Sequence, residues 1–333
     1  MNTSLVRHEP DRNLALELVR ATEAAAMAAA RWMGRGAKES ADQAAVTALR
    51  LALGTIQMDG IVVIGEGEKD EAPMLYIGEE VGNGAEPKVD IAVDPIDGTR
   101  LLSNGMPNAL SVVALAERGT MIVPAHIAYM EKIATGPEAA DAIDIERPIA
   151  ENLERVAKAK GKNVADLTVV ILDRPRHADM IAEIRRAGAR IKMITDGDVA
   201  GAVMAAMPDT GVDLLLGIGG APEGVVSICA LKSIGGNMQC RIWPRNDAEW
   251  QIVRDEGIDV TKVLGMNDLV RSDNVFFAAT GITDGELLQG VHYAGDGATT
   301  ESLVTRSLSG TVRRVKATHR LDKLARYAAV SFD

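Results

Sequence analysis

The chain is poor in aromatic residues: three Trp, four Tyr and three Phe make up 3% of it. A core must therefore be built from Ala, Val, Ile, Leu and Met, and there are few rings for a platform that stacks single-stranded nucleic acid. Excess positive charge is lacking too. A formal net charge of -11 repels a phosphate backbone and omits the basic footprint of a nucleic-acid binder, although bound cations let an acidic enzyme handle phosphate. Only two cysteines occur, Cys229 and Cys240, in neither a C-x-x-C motif nor a disulfide framework, so two buried thiols in a reducing compartment are expected. No apolar run reaches the roughly 18 residues of a membrane span. Met1 to Asn13 carries no apolar signal core. These absences predict a cytoplasmic protein with no membrane or nucleic-acid partner.

What is present is an α/β pattern. At 333 residues the chain exceeds the usual single core, so one large unit or two fused α/β halves is expected. A polar, proline-marked joint over 136–149 puts the division between residues 1–140 and 141–333. An Ala-rich helix over 11–33 carries Leu14, Leu18, Ala21, Ala25 and Ala28 on one face, and Gly34 and Gly36 end it. A second helix over 40–57 turns Val46, Leu49, Leu53 and Ile56 inward. Such small faces suit close helix packing or an oligomer contact, packing being the safer reading. Beyond the joint, helices near 147–160, 178–187, 199–207 and 222–232 alternate with strands at 167–172, 190–194 and 212–218. That order predicts parallel βαβ pairing with ligands at the strand carboxyl ends. From Gly235 the chain turns β-rich, with a strand and turn over 272–283 and a hairpin around Ser309-Gly310.

The chemistry concentrates on turns after apolar strands. Val89-Asp90-Ile91-Ala92-Val93 runs into Asp94-Pro95-Ile96-Asp97-Gly98-Thr99. Pro95 cannot donate to a ladder, so the strand is expected to stop there with Asp94 at its end. Asp97 and Gly98 would then form a turn, with the Thr99 hydroxyl beside two carboxylates. Upstream, Ile61-Val62-Val63-Ile64 leads into Gly65-Glu66-Gly67-Glu68. Acids delivered by two neighbouring strand ends suit hard divalent cations and metal-assisted phosphoryl chemistry. Other groups have double readings. Lys38 and Asp42 form either an i,i+4 ion pair or a phosphate and metal contact. Tyr129 is either a core ring or a phosphate donor. Arg174 and Arg176 on one loop are either surface charge or a phosphate fork. Asp196 and Asp198 either cap a helix or accept from sugar hydroxyls. Gly217-Ile218-Gly219-Gly220-Ala221-Pro222-Glu223-Gly224 could cradle an anion on glycine amides at a helix N-terminus, but Glu223 repels phosphate unless a cation lies between.

These stretches, in this order, resemble the class II fructose-1,6-bisphosphatases of the lithium-sensitive, metal-dependent sugar and inositol phosphatase superfamily. The marker is Gly217 to Gly224, supported by Gly34-Arg35-Gly36-Ala37-Lys38, Asp42, the Asp94–Thr99 hexapeptide and Tyr129-Met130-Glu131-Lys132. The resemblance spans about residues 11–320. It implies a layered αβαβα sandwich of two α/β halves with the active site between them. It implies two or more Mg²⁺ or Mn²⁺ ions on Asp42, Glu66, Asp94, Asp97 and Glu223, leaving Glu68, Asp70 and Glu71 solvated or behind the ligands. Thr99 would orient or help deprotonate the attacking water, making Thr99, Asp94, Glu66 and Glu223 the catalytic set. Lys38, Gly98, Tyr129, Arg174, Arg176, Gly219 and Gly220 would hold phosphate, and Asp196 and Asp198 the sugar. Where the family often has Lys-Pro-Arg-His, this chain has Arg174, which keeps the charge but not the geometry. The implied reaction is hydrolysis of the 1-phosphate of fructose 1,6-bisphosphate, with sedoheptulose 1,7-bisphosphate as a second substrate, by a dimer or tetramer. The rivals are an inositol or nucleotide monophosphatase and a non-catalytic sugar-phosphate sensor.

Overall fold

The computed structural model describes residues 14–67, 74–123 and 128–328, so Glu68, Asp70 and Glu71 lie outside the described residues. In chain order the first part comprises α1 (Leu14–Ala30), α2 (Lys38–Leu53), β1 (Asp59–Ile64), β2 (Glu80–Val81), β3 (Lys88–Asp97), α3 (Thr99–Ser103) and β4 (Leu110–Glu117). Then follow β5 (Tyr129–Thr135), α4 (Ile149–Lys160), β6 (Thr168–Leu172), α5 (Ala178–Ala187), β7 (Arg190–Ile194), α6 (Asp198–Ala206), β8 (Leu214–Gly220) and α7 (Ala221–Ile234). The last part comprises β9 (Asn237–Ile242), α8 (Asp247–Glu256), β10 (Leu264–Gly265), α9 (Met266–Leu269), β11 (Phe276–Gly281), β12 (His292–Ala294), β13 (Gly297–Arg306), β14 (Thr311–Arg320) and α10 (Leu321–Ala328).

Two mixed sheets result. One runs β12-β13-β11-β4-β3-β1-β2 with β14 on β13; the other runs β10-β9-β5-β8-β6-β7. The central strands of the first sheet send alternate side chains to different cores. Ile91, Val93, Val113 and Leu115 pack under α1 and α2, whereas Ala92, Val112 and Ala114 meet α6 and α7 on the opposite face. The second sheet covers α6 and α7 from the other side, and its outer face carries α4 and α5 on Val169, Ile171 and Leu214. The layers therefore read α, β, α, β, α. Sheet membership crosses residue 140, because β5 precedes it in the second sheet and β11 to β14 return to the first.

The aliphatic composition decides how this core is held. Without many rings, stability is spread over Val, Leu, Ile and Ala side chains, each fully buried Val or Leu contributing about 1.5–3 kcal/mol. α1 is covered nearly all round, so its alanines serve close packing on α2 and the first sheet. Cys229 and Cys240 are free and buried, and burial pushes each thiol up to about 12. They are inert packing residues.

Candidate active site

The parallel pairing predicted for the second sheet holds for β6 with β7 and β8, while β5 and β9 are antiparallel. The carboxyl ends of β6, β7 and β8 thus share an edge with the amino end of β5. Those ends carry Arg174 and Arg176, Asp196, Gly219 and Gly220, and Tyr129 respectively. Together with Asp94 to Thr99 from the first sheet they line one cleft of about 500 Å³, which also takes in Asp198, Glu223 and Arg245.

The central hexapeptide departs from expectation in one respect. β3 does not stop at Pro95 but continues to Asp97, with a register shift against β4 between Asp94 and Asp97. On the other side its parallel partner β1 has already ended, at Ile64 opposite Ala92. Pro95 is therefore accommodated at an irregular strand end, where a missing N–H costs little. Gly98 then takes the left-handed conformation at φ 94° and starts α3.

Acids form one wall. Asp94 Oδ1 accepts from Ile96 N at 3.1 Å, and Asp97 Oδ2 accepts from Ala200 N at 3.0 Å, so Asp97 satisfies the first turn of α6 from another element. Burial, then the Asp97, Glu223 and Glu66 charges, push the Asp94 carboxyl well above the usual carboxylate range. Burial, then Asp198, does the same to Asp97. Glu223 is raised by burial and then by Asp198, and its Oε2 is buried without any hydrogen-bond partner. Asp42 and Glu66 stand outside the cleft lining but join the wall electrostatically. Thr99 Oγ1 lies 3.3 Å from both Asp42 Oδ1 and Ile96 O. The Glu66 carboxyl is pushed up to about 7, first by burial and then by Asp42, while its turn keeps solvent contact that tempers the shift. Among the described residues no three His, Cys, Asp or Glu side chains close on one point as a chelate. The wall nevertheless suits hard cations: its donors are all oxygens, and a buried carboxylate oxygen is orphaned in it.

Cations and an aromatic ring form the opposite rim. The Arg176 and Arg245 guanidiniums each lie 5.0 Å from the Tyr129 ring centroid, and Trp243 meets that ring edge-on. Arg176 also donates from Nε and Nη2 to Ile218 O, at 3.1 and 2.7 Å. Behind it, buried His177 bonds Leu172 O through Nδ1 and accepts from Ile218 N through Nε2. Arg174 Nη2 is 3.8 Å from Asp196 Oδ1.

Neither acid of Asp196-Gly197-Asp198 caps its own helix, whose N-cap is Gly197 without a side-chain bond. Asp196 Oδ2 accepts from Arg100 N at 3.2 Å, and Asp198 pairs with Lys132 at 2.7 Å. Gly219 and Gly220 let two carboxylates sit close to the strand backbone. A Cβ at 219 would fall 2.0 Å from Asp198 Oδ2, and one at 220 would fall 1.7 Å from Glu223 Oε2. Lys38 is exposed on the first turn of α2 and is not brought into the cleft lining.

Sequence reasoning missed Lys132 and Arg245. Lys132 was legible in principle, since a lysine between Met130 and Ala134 sits on the inward face of an apolar strand. Arg245 had no such signal. It precedes α8, a helix the β-rich reading of this region passed over, although Asn246 caps it by accepting from Glu249 N at 3.0 Å.

The sequence matches the family model described as bacterial fructose-1,6-bisphosphatase, glpX-encoded, over residues 12–319. It is 49% identical over 325 residues to fructose-1,6-bisphosphatase 1 class 2 of Escherichia coli (strain K12), covering 94% of this chain and 96% of that protein. The same figures describe its similarity to fructose-1,6-bisphosphatase class 2 of Shigella flexneri, 49% over 325 residues.

Proposed function

We propose, from the premise that this chain belongs to the bacterial class II fructose-1,6-bisphosphatase family, that the cleft between acid wall and arginine rim is its active site. The protein is a phosphatase that hydrolyses fructose 1,6-bisphosphate in gluconeogenesis. The finer assignment is to the 1-phosphate, yielding fructose 6-phosphate and phosphate. The observation that carries it is the wall of Asp94, Asp97 and Glu223, with its orphaned Glu223 Oε2, set in the same cleft as Arg174, Arg176 and Tyr129.

The division of labour follows from the residues. Asp42, Glu66, Asp94, Asp97 and Glu223 would hold two or more Mg²⁺ or Mn²⁺ ions. Such ions supply charge for the phosphoryl oxygens and lower the pKa of water. Thr99 Oγ1, within reach of Asp42, can pass its own proton to that carboxylate and accept one from the attacking water. Water oxygen bonds to phosphorus as the bond to the sugar oxygen breaks, and the leaving alkoxide takes a proton from solvent water in the open cleft. Asp196 and Asp198 accept from sugar hydroxyls. The remote phosphate lies against Arg174, Arg176 and Tyr129, and the Gly98, Gly219 and Gly220 amides receive the reacting one, whereas Lys38, outside the cleft lining, is left out of the assignment. Rate then comes from positioning and electrostatics. A cytoplasmic homo-oligomer, dimer or tetramer, completes the reading, and light scattering tests it. No described helix is long and apolar enough to cross a membrane.

Phosphate release from fructose 1,6-bisphosphate, sedoheptulose 1,7-bisphosphate and inositol 1-phosphate, with Mg²⁺, with Mn²⁺ and after chelation, tests the assignment. Expected is turnover of the fructose substrate that chelation abolishes and metal restores. Preference for inositol phosphate, or turnover indifferent to chelation, would overturn it.

A further inference from the structure

Lys132 is buried, with 2% of its side chain exposed, in a strand row otherwise occupied by Met130 and Ala134. A buried ammonium in an apolar row is costly unless paired. Its Nζ lies 2.7 Å from Asp198 Oδ2, across the gap between the middle of β5 and the first residue of α6. The surroundings are shaped around this pair. A Cβ at Gly219 would come 3.1 Å from Lys132 Nζ, and one at Gly224 would come 3.3 Å from Lys132 Cε and 2.8 Å from Met130 Cε. Two glycines, on β8 and in the first turn of α7, thus leave the slot that the lysine fills. Burial alone would lower the Lys132 pKa, but the Asp198 and Glu223 charges outweigh it and hold it above the usual lysine value.

Stability is a poor reason for such a pair, because well-packed apolar residues in place of a buried ion pair are often neutral or stabilising. Its place offers a better one. Asp198 lines the cleft, and it faces Asp97 and Glu223, whose carboxyls both feel its charge. Without a cation at Oδ2, that repulsion would turn Asp198 away from the position it holds. We propose that Lys132 is a positioning residue for sugar recognition, its ammonium fixing Asp198 Oδ2 so that the other carboxylate oxygen is aimed at a substrate hydroxyl. The inference rests on the sugar-phosphatase reading. It adds a group that does not touch substrate and acts only through Asp198.

The test compares Lys132→Met, Asp198→Asn and the double variant by steady-state kinetics on fructose 1,6-bisphosphate at saturating Mn²⁺. Calorimetric binding of fructose 6-phosphate gives a second readout. Each single change should raise KM and weaken product binding about tenfold, with kcat affected less. The double variant should be no worse than Asp198→Asn alone, since the lysine has no other route to the sugar. Independent effects that multiply to about a hundredfold would overturn the proposal. So would unchanged KM and product affinity in Lys132→Met beside a lowered melting temperature, or a shift confined to the half-activating Mn²⁺ concentration. If Lys132→Met does not fold, the double variant, which leaves no unpaired carboxylate, decides. Product affinity equal to that of Asp198→Asn supports the pairing; wild-type affinity or a further loss refutes it. Wild-type protein that neither hydrolyses the bisphosphate nor binds the product would sink the parent reading instead.

Discussion

The two sides of the cleft are built on opposite principles. The arginine rim is already braced: Arg176 keeps its charge while held by the Ile218 carbonyl, Arg245 pairs with Glu249, and both lean on the Tyr129 ring. The acid wall is the reverse, with carboxyls raised by burial and by one another, and one oxygen left with no partner at all. A rim of this kind binds by preorganisation, whereas such a wall is completed only by what enters it. Lys132 alone among the buried lysines and arginines of the described residues lies against the wall, and it is committed to Asp198. Substitutions should therefore behave differently on the two sides: wall changes should act on kcat and metal requirement, and rim changes on KM.

The largest effect is expected for Glu223→Gln. If Glu223 only complemented the α7 dipole, the change would cost under about 1 kcal/mol of stability and leave activity almost intact. As a ligand it should lower kcat by about a hundredfold or more and raise the half-activating Mn²⁺ concentration. Matching metal titrations for variant and wild type would remove Glu223 from the wall. Thr99→Ala comes next. Loss of a hydroxyl used mainly in the transition state should reduce kcat by about a hundredfold while KM and melting temperature move little. Retention of most of kcat would confine Thr99 to its contacts with Asp42 and Ile96. On the rim, Arg174→Met removes a cation whose guanidinium donates to Asp173 O at 3.1 Å and lies 3.8 Å from Asp196 Oδ1, neither of them on β8. KM for the bisphosphate should rise about three- to tenfold with kcat nearly unchanged. An equal fall in kcat would show that the two sides are not separable in this way.

How far the sequence revealed this contrast depends on the element. The acids of the wall stood out because they fall at or just beyond the ends of apolar runs beside Gly or Pro, a local pattern that survives without tertiary context, even though Asp94 and Asp97 prove to lie within β3 and Glu223 in α7. The strands and helices at 178–187 and 190–194 were legible for the same reason, with α5 and β7 ending at the residues expected. The extent of β3 was not, since Pro95 is tolerated only because β1 stops short and β4 shifts register there. The pairings of Asp196 with Arg100 and Asp198 with Lys132 were hidden for another reason. Their partners lie 96 and 66 residues away, beyond any local pattern. Arg245 lies just ahead of α8, in a region read as β-rich, and its place on the rim comes from tertiary packing against Tyr129.

The smallest effect tests whether the wall destabilises the protein without its ions. Two acids are pushed up to about 7: Glu66 by burial and then Asp42, and Glu23, on α1, by burial against the lowering bond from Thr300. Each ordinarily titrates near 4.5. A carboxyl raised on folding binds more protons in the folded state, so its stability contribution is present below about 4.5 and is lost as pH climbs to about 7. Gln cannot ionise and escapes that loss. In metal-free protein the melting temperature of Glu66→Gln should therefore exceed that of wild type by a margin that grows between about pH 5 and 7.5. With solvent at the Glu66 turn the margin should stay near about 1–3 °C. Glu23→Gln should show a gain of the same sign. The two must part when Mn²⁺ is added. A cation on the wall should stabilise wild type above Glu66→Gln and reverse that margin, while the Glu23→Gln margin persists, because Glu23 contacts Thr300 and His319 rather than the cleft. Parallel melting curves for wild type and Glu66→Gln across this range, with and without Mn²⁺, would detach Glu66 from the wall.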